Sequence, residues 1–313
     1  MLNSILNTQV QGVFKLSKGN LNTNEEQHLT TFNNLILNNG LNLLFTTTTP
    51  SAFNSCSIGA GTSEPAVTDT SLTNHRFSAN GNFITQGNMS SIYRWATFKY
   101  RFNPNVAGTY TEIGIGTASN NLFSKSLIKD SNGNPIAITL LSDEYLDVTY
   151  EIRFYINTTE STITNFNLGK SIHTLNTKAA YINSTEAMYA TATAIHSFYG
   201  SNFQLFSGPV AASNTGGPSG SSSSSTSITS LPYVSNSFER SHRAVFDLNN
   251  QVNNWPIKSA FINFGLFGLF QTAITPDIIK TSSEILTIDF KISLGRYTDK
   301  KKNNISNRRF FFF

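Results

Sequence analysis

Charged residues are scarce in this sequence. Asp, Glu, Lys and Arg make up 13% of its 313 residues, whereas roughly 25% is usual for a soluble domain. The formal net charge is +4, and five of the 22 basic residues are Lys300, Lys301, Lys302, Arg308 and Arg309. A nucleic-acid-binding surface needs basic residues spread over one face. We therefore expect no nucleic-acid partner, and we expect Asn, Ser and Thr to form a surface suited to packing against neighbouring proteins.

Cysteine and long apolar runs are equally scarce. Cys56 is the single cysteine, so no intrachain disulfide can form, which fits synthesis in a reducing cytoplasm. We interpret Cys56 as a small buried residue; the alternative, a catalytic thiol, requires a histidine beside it in space. Apolar runs fall short of the ~20 residues that a membrane helix needs, and residues 1–19 lack the features of a signal peptide. The sequence predicts a soluble protein without membrane insertion.

Motifs for metal or phosphate binding are also missing. The glycine-rich segment 59–65, GAGTSEP, lacks the Lys-Ser/Thr ending and the following helix of a phosphate-binding loop. The histidines are far apart and show none of the short spacings typical of metal ligands. They are His28, His75, His173, His196 and His242. We predict that the protein binds no metal ion and no cofactor.

Asp143 and Glu144 could belong to a pair of carboxylates of the kind that hydrolyses glycosidic bonds. Glu144, however, begins a segment of alternating apolar residues, and Glu284 begins a similar one. A role at the start of a strand is therefore the simpler explanation. The sequence predicts that the chain is not an enzyme; a glycan depolymerase is the alternative, and it would need two carboxylates across a cleft.

Strict alternation of apolar and polar residues is the strongest structural pattern that the sequence does have. Residues 144–154, EYLDVTYEIRF, and residues 284–294, EILTIDFKISL, both show it. Ala96, Phe98, Tyr100 and Phe102 alternate with polar residues in the same way. Such a period of two is typical of strands with one buried face. The sequence therefore predicts a mainly β chain.

Two short helices are predicted, one before each β-rich half. Thr23 followed by Glu26 has the form of a capping box, apolar residues from Leu29 to Ile36 recur at helical spacing, and Gly40 is placed to end the helix. A second helix is predicted over residues 184–199, before Gly200.

The order of these features indicates a tandem duplication. Segment 96–102 corresponds to 244–248, EIGIG at 112–116 to NFGLF at 263–267, and segment 144–154 to 284–294. The alternative is that any two amphipathic strands look alike. We predict two related β-sandwich-like units, each preceded by a short helix. Residues 1–157 form the first unit, 158–183 a connector, 184–297 the second unit with an exposed Ser-rich loop at 213–227, and 298–313 a basic and aromatic tail.

Aromatic residues supply the remaining candidate contacts. Trp95 and Trp255 have no tryptophan counterpart in the other unit and could stack on a sugar ring; the alternative is that they fill the core. An exposed run of phenylalanines needs a cover, so we expect the tail to dock into a groove on a neighbouring subunit, the alternative being its own sheet. The expected assembly contacts are Arg308, Arg309, Phe310, Phe311, Phe312 and Phe313.

A succession of short motifs resembles a group of virion proteins of tailed bacteriophages, the tail, fibre and collar components. The motifs are NNLILNNGLNLLF at 33–45, CSIGAGTSEPAVTDTSLTN at 56–74, TYTEIGIG at 109–116, NLFSKSLI at 121–128 and EYLDVTYEIRFY at 144–155. They cover about residues 31 to 156. They are turn glycines and core aromatics, so no catalytic residue is implied, and Gly59, Gly61 and Gly114 are expected to provide backbone conformations.

The resemblance implies a non-enzymatic structural protein of a phage particle, located in the tail, neck or collar, fibre or baseplate. Its expected partners are other virion proteins and further copies of itself, and it would be made in the cytoplasm of the host bacterium. The alternative function is a receptor- or glycan-binding adhesin of the tail, whose partner would be a glycan on the host surface.

Overall fold

Alternating apolar residues form long strands here, as the sequence predicts. The computed structural model describes residues 4–23, 25–47, 49–89, 93–157, 161–168, 170–182 and 203–298. The strands are β1 (Ser4–Asn20), β2 (Glu26–Asn33), β3 (Leu35–Ile36), β4 (Ser55–Gly59), β5 (His75–Met89), β6 (Tyr93–Phe102), β7 (Gly108–Tyr110), β8 (Glu112–Ala118), β9 (Asn121–Leu127), β10 (Ile138–Leu140), β11 (Glu144–Ile156), β12 (Thr162–Leu168), β13 (Ser171–Ala179), β14 (Phe203–Phe206), β15 (Ser222–Ser224), β16 (Ser227–Ser230), β17 (Glu239–Phe246), β18 (Ile257–Asn263), β19 (Leu269–Ile278) and β20 (Leu286–Arg296). The described helices are α1 (Asn38–Thr46) and α2 (Thr49–Ala52). The prediction of a mainly β chain is confirmed.

One sheet of twelve strands runs through most of the molecule. Its order is β16-β17-β20-β1-β11-β6-β5-β4-β8-β9-β3, and β2 pairs with β1 off this path. β5 pairs with β6 over Gly81–Met89 and with β4 over His75–Asn80, so the sheet turns back over itself along this strand. Phe53 lies in the space so enclosed, with its ring centroid 4.8 Å from those of both Phe98 and Phe123.

β1 holds the two halves of this sheet together. It pairs in antiparallel fashion with β11 from Thr8 to Asn20 and in parallel fashion with β20 from Ser4 to Val10. Leu6, Val10 and Phe14 are buried on one face of the strand. A single strand therefore contributes its apolar row to the packing of both halves.

A second sheet packs beside the β20 half. It has six strands in the order β12-β13-β19-β18-β14-β15. Phe203 of β14 is buried 4.9 Å from the ring of Phe290 on β20. The predicted connector 158–183 contains β12 and β13 of this sheet, and the large sheet takes strands from both predicted units. The division into two units stays a prediction.

The prediction of a first helix between Thr23 and Gly40 is wrong. Residues 26–33 form β2, which pairs with β1, and Thr30 and Phe32 face inward at a strand's period. The helix begins only at Asn38, after Leu37 as N-cap without a side-chain cap. Gly40 lies inside it, where a Cβ would overlap the carbonyl oxygen of Phe123, so this glycine permits close packing and does not end the helix.

The other predicted elements have mixed outcomes. The second helix, over 184–199, lies outside the described residues. The Ser-rich segment 213–227 is not one continuous exposed loop, because Ser222–Ser224 pair with β14 and Ser225 is buried. The alternating segments are confirmed as strands with buried apolar rows. No helix in the described part of the chain is long and apolar enough to cross a membrane.

Candidate functional site

The outer face of the large sheet carries a group of half-buried aromatic rings around Trp95. Trp95 and Tyr93 point outward from β6, and Tyr155 lies opposite Tyr93 on β11. The ring of Tyr155 is 5.0 Å from that of Tyr93 and stacks at 3.9 Å on Tyr297, which follows β20. We call Tyr93, Trp95, Tyr155 and Tyr297 the aromatic face.

Glycine and a charged pair shape the surroundings of these rings. A Cβ at Gly87 would lie 2.6 Å from Cζ2 of Trp95, so the indole extends across the bare backbone of β5. The Arg153 guanidinium lies 4.7 Å from the centre of the Tyr93 ring, and its Nε donates to Glu151 Oε1 at 2.6 Å. Rings bordered by hydrogen-bonding groups can stack on a flat ligand and bind its hydroxyls.

Burial raises the pKa of Tyr155, whose hydroxyl donates to Gln11 Oε1 at 2.8 Å. The tyrosine therefore stays neutral and able to donate at ordinary pH. The sequence predicts Trp95 as a contact residue but not Tyr93, Tyr155 or Tyr297. Tyr93 is two residues before Trp95, so the strand period could have revealed it, whereas the other two depend on strand order.

Trp255 does not belong to the aromatic face. It follows the 3₁₀ turn Gln251–Asn254, which contacts β15 of the six-stranded sheet, and it packs half-buried against the core. Its arrangement fits the core-filling alternative. The predicted assembly contacts from Arg308 to Phe313 lie outside the described residues.

A buried ionic cluster lies under the loop that follows β4. The Glu112 carboxylate is fully buried and accepts from the backbone N–H groups of Gly61, Thr73 and Asn74 at 2.9, 3.0 and 2.6 Å. Lys125 Nζ is 3.7 Å from Glu112 Oε2 and 3.0 Å from Asp69 Oδ2. We call Asp69, Glu112 and Lys125 the Glu112 cluster. It fastens both ends of the loop 60–74 to β8 and β9.

The three glycines that were expected to provide special backbone conformations permit close packing instead. Gly59, Gly61 and Gly114 all have φ angles outside the left-handed region. A Cβ at Gly61 would overlap Glu112 Oε1, and one at Gly59 would lie 2.5 Å from the carbonyl oxygen of Asn74. The expectation of special backbone conformations is wrong; the glycines let backbone and carboxylate approach closely.

The carboxylate pair at Asp143 and Glu144 is engaged in local structure. Asp143 accepts from the side chains of Asn20 and Asn22, and Glu144 forms an ion pair with Lys18 at 2.7 Å. The hydrogen bond from Asn20 lowers the pKa of Asp143, and that from Lys18 lowers the pKa of Glu144. A glycosidase acid needs a raised pKa, so neither carboxylate is suited to that role.

Cys56 is buried in β4, and burial raises the pKa of its thiol well above the usual range. The thiolate, the reactive form, is therefore disfavoured, and the interpretation as a small buried residue is confirmed. The described residues contain no group of three or more His, Cys, Asp or Glu side chains that could hold a metal ion.

Two Arg–Asp pairs have the same geometry, and each joins two adjacent strands of the large sheet. Arg101 of β6 lies opposite Asp147 of β11 and donates twice to its carboxylate, at 2.7 and 2.6 Å. Arg243 of β17 lies opposite Asp289 of β20 and does the same at 2.7 and 2.8 Å. Both carboxylates are buried and both pairs are 46 residues apart in sequence. Such bidentate bonds fix the register of each strand pair.

Comparisons with protein-family models, with curated proteins and with solved structures find no match to this chain. Functional inference therefore depends on its own residues and their arrangement.

Proposed function

We propose that the chain is a non-enzymatic structural component of a bacteriophage virion, assembling in the tail, neck or collar, fibre or baseplate. The observation that carries the proposal is the Glu112 cluster. Glu112 belongs to TYTEIGIG, Asp69 to the segment 56–74, and Lys125 to NLFSKSLI. Three separate motifs of the virion-like succession thus meet at one point in space.

The use of these residues favours a structural role. The Glu112 carboxylate already accepts three backbone hydrogen bonds and faces Lys125, and both side chains are closed off from solvent. A catalytic group has to reach a substrate, whereas these groups hold a loop on a sheet. The motifs therefore serve a rigid framework, as a particle component requires.

Two local repeats support the tandem duplication. Glu144 Oε2 accepts from the N–H of Leu141 at 2.8 Å, and Glu284 Oε2 accepts from that of Thr281 at 3.0 Å, so each glutamate closes the same turn. The Arg–Asp pairs repeat as well, but the sequence separation between the two pairs is two residues larger than the separation between Glu144 and Glu284. Against this, EIGIG lies on β8 while its supposed counterpart contains the 3₁₀ turn Gly265–Phe267. The strand pairs β6–β11 and β17–β20 therefore give the strongest support to the proposed repeat.

Solution mass tests the assembly part of the proposal. We expect the full chain to form defined oligomers in light scattering and a version ending at Asn307 to be smaller. The matched control is the full-length chain with Phe310 to Phe313 changed to Ser, which keeps the length and the basic residues. If the full chain is a monomer at all concentrations, self-assembly through this tail is excluded.

The second candidate is a glycan-binding adhesin, and the aromatic face is the observation that favours it. Trp95 and Tyr93 lie beside Arg153 and Glu151, which offer rings for stacking and groups for hydroxyls. Glycan-array binding by the wild type that is lost in Trp95→Ala but kept in Trp255→Ala would support this function. If the wild type binds no glycan, the adhesin function is excluded and the structural role is the remaining candidate.

A further inference from the structure

An open groove of about 430 Å³ lies where β19 ends and β20 begins. We call it the β19–β20 groove and define it by Leu168, Ser171, Asp277, Ile279, Glu284 and Ile285. Ile279 and Ile285 are 65% and 60% exposed, although isoleucine is among the residue types most often buried. Leu168, the last residue of β12, adds a third partly exposed apolar side chain. This groove therefore presents apolar surface that a partner could cover.

The rim of the groove is acidic. Asp277 and Glu284 are both exposed. Lys280 also lines the groove, but its side chain is buried, and its Nζ donates to Asn253 Oδ1 at 2.5 Å and to the carbonyl oxygen of Thr281 at 3.2 Å. The exposed charges of the groove are therefore the two carboxylates. An apolar floor with carboxylates at the rim suits a segment that combines aromatic and basic side chains.

Residues 308–313, Arg-Arg-Phe-Phe-Phe-Phe, have that composition. We propose that this segment of one copy docks in the β19–β20 groove of a second copy, with the phenylalanines against Ile279 and Ile285 and the arginines beside Asp277 and Glu284. The inference rests on the proposed function, because it names the contact by which the copies would assemble.

The course of β20 decides between a second copy and the same copy. The groove lies at the start of this strand, and the tail leaves from its end, where Arg296 donates to the carbonyl of Ile36 and Tyr297 stacks on Tyr155. The 11 residues of β20 separate the two points by about 35 Å.

Returning to its own groove would stretch the chain. About 13 residues lie between Arg296 and Phe310; fully extended they reach roughly 45 Å, whereas a flexible coil of that length spans about 20 Å on average. Docking in the same copy therefore needs a nearly extended chain along the whole sheet. Docking in a neighbour needs no such extension, so the second copy is favoured.

A tail at one end and its groove at the other make a heterologous contact. Repetition of such a contact closes into a ring or continues as a filament, depending on the rotation between copies. Both outcomes match a component that assembles around or along a phage tail.

Complementation of two defective chains tests the inference. The first chain ends at Asn307 and keeps only the groove. The second keeps only the tail, because Ile279→Asp and Ile285→Asp place charges in the groove; both positions are exposed, so the fold should tolerate the changes. We expect each chain to be a monomer alone and their mixture to form a 1:1 dimer that grows no further. The matched control is Ile163→Asp in the full-length chain, an exposed isoleucine on β12 outside the groove, which should assemble normally.

A direct binding measurement identifies the contact. We expect a labelled peptide of residues 300–313 to bind the chain ending at Asn307 and to lose about tenfold or more of its affinity when Asp277→Lys or the two Ile→Asp changes are present. The peptide with Ser in place of the four phenylalanines should not bind. Equal affinity for wild-type and groove variants would overturn the inference, as would the absence of any binding.

The failure of this inference is distinguishable from failure of the proposed function. If the full chain with the two Ile→Asp changes assembles as well as the wild type, the tail contact lies elsewhere and only the groove assignment falls. If the wild-type full chain never assembles, the assembly function itself falls.

Discussion

Glu112 is the residue on which the attachment of the loop 60–74 depends most. It is fully buried, it accepts hydrogen bonds from three backbone N–H groups, and it faces the buried Lys125. Glutamine places an NH2 donor where one carboxylate oxygen accepts these bonds, so at least one buried N–H group loses its acceptor, at a cost of about 1–3 kcal/mol. We expect Glu112→Gln to lower the free energy of unfolding by roughly 3 kcal/mol, measured by urea denaturation.

The control for this change is Glu64→Gln in the same loop. Glu64 is exposed, and surface substitutions usually stay within about 0.5 kcal/mol. The explanation by a buried carboxylate would be wrong if the two variants lost equal stability.

His242 makes stability depend on pH. Burial, aided by the charge of Arg240, lowers its pKa from 6.5 to about 3. Between these two values the unfolded chain binds a proton that the folded chain does not, so stability falls as the pH falls from 6.5 towards 3. The expected slope is at most about 1.4 kcal/mol per pH unit.

Urea midpoints at pH 7, 5.5 and 4.5 test this expectation. The wild type should lose more stability over this range than His242→Gln, whose slope lacks the histidine contribution. The control is the range above pH 8, where histidine is neutral in the folded and the unfolded chain and the slopes of wild type and His242→Gln should be parallel. Parallel slopes between pH 7 and 4.5 as well would mean that the folded chain protonates His242 without unfolding.

At the scale of elements, strands with a buried apolar row could be predicted from the sequence, whereas the helix at 23–40 could not. Thr30 and Phe32 point inward because β2 pairs with β1, a partner distant from the capping pattern at Thr23. The pairing of β2 with β1 therefore overrides the local capping pattern, and this pairing cannot be read from the sequence. The prediction that Gly40 ends a helix was wrong for the same reason, since this glycine permits close contact between α1 and β9.

The candidate sites show the same limit. Trp95 was visible as an unmatched residue, but Tyr297 joins the aromatic face only because β20 lies beside β1 and β1 beside β11. The motifs around Glu112 were visible as separate segments, whereas their meeting at one carboxylate depends on the order of β4, β8 and β9. Composition and the period of apolar residues predict which face of a strand is buried. Strand order, which they do not predict, determines which residues of different strands come together.

The two Arg–Asp pairs differ in how many cations contact the carboxylate. Asp147 has Lys99 at 2.9 Å as well as Arg101, while Arg243 is the one cation bonded to Asp289 among the residues described. Both carboxylates are buried. Arg243→Met should therefore destabilise the protein more than Arg101→Met, because only the former leaves a buried carboxylate without its cation. Urea midpoints of the two variants measure the difference, and equal midpoints would show that Lys99 contributes nothing.

At the scale of the whole molecule, β1 determines how the chain unfolds. Its Thr8–Asn20 segment pairs with β11 and its Ser4–Val10 segment with β20, so the strand pairs β6–β11 and β17–β20 share one central strand. Leu6, near the start of β1, and Leu16, towards its end, are both buried. Neither half can lose this strand without exposing apolar surface in the other, which couples the two halves energetically.

We expect the chain to unfold in one cooperative transition in spite of its length. Scanning calorimetry should give a single peak whose calorimetric and van't Hoff enthalpies agree. A charge at the buried Val10, as Val10→Asp, should lower that peak as a whole, whereas a charge at the exposed Val234 should leave it in place. Two separate peaks, of which Val10→Asp shifts only one, would instead mean that the predicted units 1–157 and 184–297 unfold independently and that β1 belongs energetically to one of them.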